Sequence, residues 1–297
     1  MPEANKPRPA PRPVSHRLTR VARPLQKLVT GHVSRTVLLT VLLPLSVVSL
    51  FGSLTAAASC FPNGYDWGVR AISHLSSPVK NPQGFLLPAL GIMAAMLLAL
   101  PFAGYVARRL PPGTLRLARL SGLAFASGFV LMLLAMASQL AQPLIGLRWL
   151  HELLAGVGAA CFILGLLCCC LCALEDRRRC SRRERSLPAP LALFWVSFAL
   201  PPLCFLVALG ALTLLGDHAG QTWAKEFRHS FRHTMLWHLA FWEWIGTVAA
   251  FAFLTGSVLL LPASAQTSVS MNMNTKRGRP GASAANPAFI WQQPVEL

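Results

Sequence analysis

The sequence predicts an all-α membrane protein, a bundle of six transmembrane helices with both termini in the cytoplasm. Three observations support this fold class. Of the 297 residues, 54% are hydrophobic and only 12% are charged, about half of the roughly 25% charged residues that soluble domains carry. Six apolar runs are long enough to cross a bilayer core as helices, which takes about 20 residues. Finally, most basic residues lie on one side of these runs.

The six runs divide the chain into three parts. We expect a disordered basic cytoplasmic tail over residues 1–35, a six-helix transmembrane domain over 36–262 and a disordered cytoplasmic tail over 263–297. Both tails are rich in proline or in small polar residues, a composition that does not support a packed core. The predicted spans are Thr36–Ala58, Gly84–Ala107, Leu120–Ala141, Leu153–Leu174, Leu191–Leu215 and Leu239–Pro262.

The distribution of Lys and Arg predicts the orientation of the chain. Because basic residues are enriched in cytoplasmic segments, the basic side of the bundle should face the cytoplasm. The formal net charge of +17 then reflects membrane topology, and it should also attract anionic lipids to the basic side. No nucleic-acid partner is expected. Of the 27 Lys and Arg residues, only six lie on the predicted outer side: Arg70, Lys80, Arg148, Lys225, Arg228 and Arg232.

Histidines and acids collect on the predicted outer side, whereas the central depth of the spans is almost free of ionisable groups. Ion pumps and proton relays place such groups deep in the bundle, so the pattern disfavours them and indicates a site that opens outward. The one acid within a span is Glu243, about a turn below the outer surface. Its carboxylate should face the bundle and pair with Arg70, His74 or His151. A catalytic acid or base is the alternative role for Glu243.

His151 and Glu152 begin the fourth span. A carboxylate near a helix N-terminus is favoured by the helix dipole, so a structural role accounts for Glu152. We therefore predict that the structural polar residues of the outer layer are Arg70, His151, Glu152 and Glu243.

A second cluster precedes the sixth span, where His229 and His233 are spaced to share one face of a helix. Such a pair can ligate zinc. The alternative is an interfacial amphipathic segment whose Lys and Arg residues meet lipid headgroups. The sequence predicts no cofactor, and a zinc ion held by His74, His229 and His233 is the alternative.

The first outer loop, residues 60–83, begins CFPNGYDWGVRAISHLSSP and mixes turn formers with aromatic and polar side chains. Its run Arg70–Leu75, followed by Asn81, Pro82 and Phe85, resembles a bacterial six-span integral membrane family known only as a domain of unknown function. His151 and the segment 242–246 are similar to that family too, and a weaker likeness runs to the Frag/DRAM group of membrane proteins. The resemblance implies a multi-pass protein of the bacterial cytoplasmic (inner) membrane and implies no particular activity.

Two functional hypotheses follow. The leading one is a non-catalytic envelope protein whose outer polar layer binds membrane lipids, another membrane protein or a second copy of the chain. The other is a metal-dependent intramembrane lipid hydrolase. In that enzyme the three histidines would hold zinc, Asp66 would orient a ligand, and Ser73 or a zinc-bound water would carry the chemistry, since zinc lowers the pKa of its bound water to about 7.

Overall fold

The computed structural model describes residues 31–146, 148–180, 186–215, 220–231, 234 and 239–262. These ranges contain helices and connecting loops and no strand. Six of the described helices are long and apolar enough to cross a membrane, so the chain is an all-α, multi-pass membrane protein, as the sequence predicts. In chain order, the first to sixth spanning helices are Arg35–Ser59, Leu86–Arg109, Leu115–Gln142, Trp149–Arg179, Ala189–Thr213 and Ala240–Leu260.

The full extents of three of these helices are slightly longer, at Leu115–Ile145, Arg148–Arg179 and Leu239–Leu260. Two shorter helices, Ile72–Leu75 and Thr222–Phe231, lie in the loops before the second and sixth spans. They belong to what we call the loop end of the bundle, and we call the opposite end, which carries most of the arginines, the basic end. Residues 1–30 and 263–297, most of the two predicted tails, lie outside the described residues.

Proline accompanies both irregularities of the first two spanning helices. The first helix contains a π-helical stretch, Leu38–Leu42, directly before the segment Leu43–Ser59, whose second residue is Pro44. The second helix divides into Leu86–Ala99 and Pro101–Arg109. Because proline lacks the backbone N–H that continues the helical hydrogen-bond ladder, it bends or interrupts a helix. The fifth helix remains α-helical through Pro201 and Pro202.

The third and fourth helices approach each other most closely at small residues. A Cβ atom added to Gly128 would lie 3.2 Å from the carbonyl oxygen of Gly158, and the ring of Phe125 packs directly against Gly165. The hydroxyl of Ser121 donates to the carbonyl of Gly165 at 3.2 Å. Small residues let the backbones of membrane helices pack in this way, so these contacts hold the third and fourth helices together.

The fifth helix packs mainly through the half nearest the basic end. Among its described side chains, the buried ones are Leu191, Ala192, Trp195 and Ala199. The indole N–H of Trp195 donates to the hydroxyl of Ser257 in the sixth helix at 3.0 Å. The other half exposes apolar side chains, with Val207 71% exposed. In a bilayer this surface faces lipid, where apolar exposure is favourable.

Two arginines hold the C-terminal end of the sixth helix at the basic end. Arg109, only 6% exposed, donates from Nε to the carbonyl of Pro262 at 3.1 Å, and its guanidinium lies 3.5 Å from the ring centre of Tyr105. Arg35 donates to the carbonyl of Leu259. Cations at a helix C-terminus satisfy carbonyl groups left without helical partners, so the first and second helices anchor the end of the sixth.

Candidate functional site at the loop end

The first loop is fastened to the sixth helix by Ser73 and Glu243. Ala71 is extended and the short helix Ile72–Leu75 follows it, which places the backbone N–H of Ser73 in an unpaired first turn. That N–H donates to Oε2 of Glu243 at 3.1 Å, and the Ser73 hydroxyl donates to Oε1 at 3.2 Å. Both carboxylate oxygens are therefore engaged by one residue of the loop.

From the sequence, Glu243 was expected to face the bundle and to pair with Arg70, His74 or His151. Its hydrogen bonds instead go to Ser73, a residue that the sequence analysis proposed for catalysis. His151 is near enough to act electrostatically on Glu243, but its Nδ1–H donates to the carbonyl of Ala135 in the third helix at 2.9 Å.

Tyr65 fixes the middle of the loop. Its hydroxyl lies 2.8 Å from the carbonyl oxygen of Arg70 and 2.9 Å from that of Ala71, and its single proton is shared between them. The indole N–H of Trp244 also donates to the Arg70 carbonyl, at 3.4 Å. Partial burial raises the pKa of Tyr65 to about 12, and the negative charge of Glu243 acts in the same direction. The phenol is therefore a neutral donor at physiological pH.

A row of aromatic rings runs across the loop to the sixth helix. Successive ring centres are 5.3 Å apart from Phe61 to Tyr65, 5.0 Å from Tyr65 to Trp67, and 5.0 Å from Trp67 to Trp244. The guanidinium carbon of Arg70 lies 4.6 Å from the ring centre of Phe61, within cation–π distance. Trp67 is 46% exposed, so the row ends at an open surface. We call these four rings with Arg70 the aromatic platform.

Asn81 joins the base of the loop to the first helix, and the sequence analysis gave it no role of its own. It is fully buried. Its side-chain amide donates to the carbonyls of Ala57 and Leu75, both at 3.1 Å, and its Oδ1 accepts the N–H of Gly84 at 3.2 Å. An asparagine before a proline at the start of a span was the available signal, but it reads equally well as an ordinary turn.

The remaining predicted residues occupy separate positions around the platform. Asp66 is exposed and accepts the backbone N–H of Gly68 at 2.9 Å, which forms an Asx turn. The ring Nε2 of His74 accepts from the ammonium group of Lys80. Glu152 is an exposed residue of the first turns of the fourth helix. Of the predicted site residues, the structure thus joins Ser73 to Glu243 and holds the backbone of Arg70 against Trp244, the neighbour of Glu243.

The metal hypothesis depends on residues that the structure describes only in part. His229 is exposed on the helix Thr222–Phe231, whereas His233 lies outside the described residues. Within the described ranges, no group of three or more His, Cys, Asp or Glu side chains is close enough to hold a metal ion. The zinc site therefore stays a prediction.

The helix Thr222–Phe231 has the character of an interfacial helix. Trp223 and Phe227, four residues apart, are each 54% exposed, while Ala224 is fully buried. Lys225 and Glu226 are exposed beside them. A helix that exposes aromatic rings next to charged groups lies well at a membrane surface, with its rings at the headgroup boundary.

Comparisons of the chain with protein-family models, with curated proteins and with solved structures found no match. The geometry of the loop end therefore carries the functional argument. In that geometry the guanidinium of Arg70 lies over the ring of Phe61, and both carboxylate oxygens of Glu243 accept hydrogen bonds from Ser73. Aromatic side chains, among them Trp67, are exposed at the surface.

Proposed function

We propose that the chain is a non-catalytic protein of the bacterial cytoplasmic membrane that binds the headgroups of anionic phospholipids through the aromatic platform. In this proposal the loop end faces outward and both termini are cytoplasmic. The observation that carries the proposal is the guanidinium of Arg70, which lies over Phe61 at one end of a row of rings that leads to the partly exposed Trp67.

The chemistry of arginine supports a phosphate ligand. A guanidinium presents its N–H groups in a planar fork that matches two oxygens of a phosphate. In the proposal, the contact between Arg70 and the Phe61 ring positions this fork, and its N–H groups bind the phosphate. Because Tyr65 and Trp244 both bind the Arg70 carbonyl, the residue is positioned before a ligand arrives. Less conformational entropy is then lost on binding.

The surroundings of Arg70 fit the headgroup region of a bilayer. Trp67 is partly exposed on the first loop, and Trp223 and Phe227 are exposed on the interfacial helix. Tryptophan in particular is enriched at membrane interfaces, because its ring is apolar and its N–H is polar. These rings would hold the loop end at the depth where lipid phosphates lie.

The test compares Arg70→Gln with Lys225→Gln, which removes one positive charge at the same end of the bundle. Both variants and the parent protein are reconstituted with equal amounts of phosphatidylglycerol and phosphatidylcholine, and bound lipid is measured by native mass spectrometry. We expect Arg70→Gln to weaken phosphatidylglycerol retention about tenfold, as loss of a charged hydrogen bond does, and Lys225→Gln to change it little. Equal losses in the two variants would show diffuse charge attraction and contradict the proposal.

A second candidate function, lipid hydrolysis, is favoured by one distance: the Ser73 hydroxyl lies 3.2 Å from Oε1 of Glu243. A carboxylate at that distance can accept the proton of an attacking hydroxyl. A fluorophosphonate probe distinguishes the two functions. Labelling that Ser73→Ala abolishes and Ser59→Ala preserves would favour the hydrolase, and zinc-dependent activity lost in His229→Ala would favour its metal-dependent form. An unlabelled Ser73 together with no zinc-dependent lipid hydrolysis supports the binding protein.

A further inference from the structure

A small cleft at the basic end lies between the third and fourth helices, at the opposite end of the bundle from the aromatic platform. It has a volume of about 220 Å³ and is lined by Leu117, Leu171, Leu174, Glu175 and Arg178. Four of these residues share one face of the fourth helix, because they are spaced three or four residues apart. Leu171 and Leu174 are 49% and 45% exposed, so the cleft has an apolar wall that opens to the membrane.

Both acids near the cleft, Glu175 and Asp176, already have partners within the protein. Glu175 forms an ion pair with Arg179 one turn further along the helix. Asp176 is buried and accepts the backbone N–H groups of Ser186 and Leu187, at 3.1 and 3.0 Å. Arg178 is exposed at the rim. Arg177 is exposed as well, so residues 175–179 hold three arginines against two acids, and the polar end of the cleft carries a net positive charge.

We propose that this cleft binds one anionic phospholipid from the leaflet at the basic end, with its phosphate on Arg178 and the upper part of an acyl chain along Leu117, Leu171 and Leu174. Arg178 lies seven residues beyond Leu171 on the same face, which places it about 10 Å nearer the membrane surface. This offset matches a headgroup above its own acyl chain. Charge complementarity selects an anionic lipid, and the leucine wall distinguishes a lipid from free phosphate.

A photoactivatable phosphatidylglycerol tests the site in the full chain reconstituted in bilayers, with crosslinked peptides mapped by mass spectrometry. We expect crosslinks to residues 171–178, reduced about tenfold in Arg178→Gln. The matched control is Arg119→Gln, which removes an exposed arginine at the same end. Arg119 lies two residues from Leu117, about 200° around the third helix, and its loss should leave the crosslinks unchanged. Thermal unfolding of each variant checks that it is folded.

Three outcomes would overturn the proposal. Equal losses in Arg178→Gln and Arg119→Gln would show general attraction to a basic surface. Equal crosslinking by a phosphatidylcholine analogue would show that the cleft binds acyl chains without recognising the headgroup. Competition by inorganic phosphate would show a site for a free anion. Crosslinks to residues 60–85 report the aromatic platform separately, so the two lipid sites succeed or fail independently.

Discussion

Replacing Glu243 by alanine should destabilise the protein by separating the first loop from the sixth helix. The substitution removes the acceptor of two hydrogen bonds, from the backbone N–H and the hydroxyl of Ser73. Hydrogen bonds to a charged group contribute about 1.5–3 kcal/mol each, and their losses overlap because water can reach a partly buried serine. We therefore expect the free energy of unfolding to fall by about 2–4 kcal/mol. For a chain of this size the melting temperature should fall by roughly 5–10 °C.

The assay is thermal unfolding in detergent, followed by tryptophan fluorescence. Glu243→Gln should lie between the parent and Glu243→Ala, because an amide oxygen keeps one acceptor but loses the charge. Glu226→Ala, which removes an exposed acid from the interfacial helix, should change the melting temperature little. If Glu243→Ala melts like the parent while a measurable activity disappears, Glu243 is a catalytic residue and the structural account of the loop is wrong.

Four further predictions follow from single features of the structure. Asn81→Ala should lower the melting temperature by an amount similar to Glu243→Ala, because it removes three hydrogen bonds made by a fully buried side chain. Gly91→Ala should be strongly destabilising, since its Cβ would lie 2.5 Å from the Ser49 carbonyl, whereas Gly52→Ala meets nothing within 4 Å; thermal unfolding measures both. Tyr65 should ionise near pH 12. Because its pKa is higher in the folded protein than in the unfolded chain, the free energy of unfolding should fall as the pH rises from 10 to 12. An ultraviolet titration of tyrosinate in the parent and in Tyr65→Phe checks the pKa. Reporter fusions after residues 113, 181 and 270 should report cytoplasm and fusions after 66, 145 and 222 the outside; two or more reversals would contradict the orientation.

The spanning helices could be predicted from the sequence because lipid imposes length and apolarity on each one. Their ends were predicted less well. The third span was expected over Leu120–Ala141, but the helix runs over Leu115–Ile145. Its first two turns contain Arg116 and Arg119, which are good helix formers, so the helix begins in the polar region before the apolar run begins. The π-helical stretch Leu38–Leu42 has no hydropathy signal at all.

At the site, the depth of a residue in the membrane predicts that it needs a partner, whereas the fold of the loop determines which partner it finds. The high energy of an unpaired carboxylate in lipid predicted that Glu243 would be paired. Depth alone gave Arg70, His74 and His151 as partners. It could not identify Ser73, because half of that interaction is a backbone N–H, which every non-proline residue possesses. The role of Asn81 likewise depends on how the loop folds back onto the first helix.

The central claim is that the docked loop presents Arg70 to a lipid phosphate, and an experimental structure in bilayer nanodiscs containing phosphatidylglycerol tests it most directly. The account predicts residues 60–85 fastened to Glu243 through Ser73, with phosphate density at hydrogen-bond distance from the guanidinium of Arg70 and its other face on Phe61. A loop detached from the sixth helix, or an Arg70 side chain ion-paired within the protein and distant from any phosphate, would contradict it.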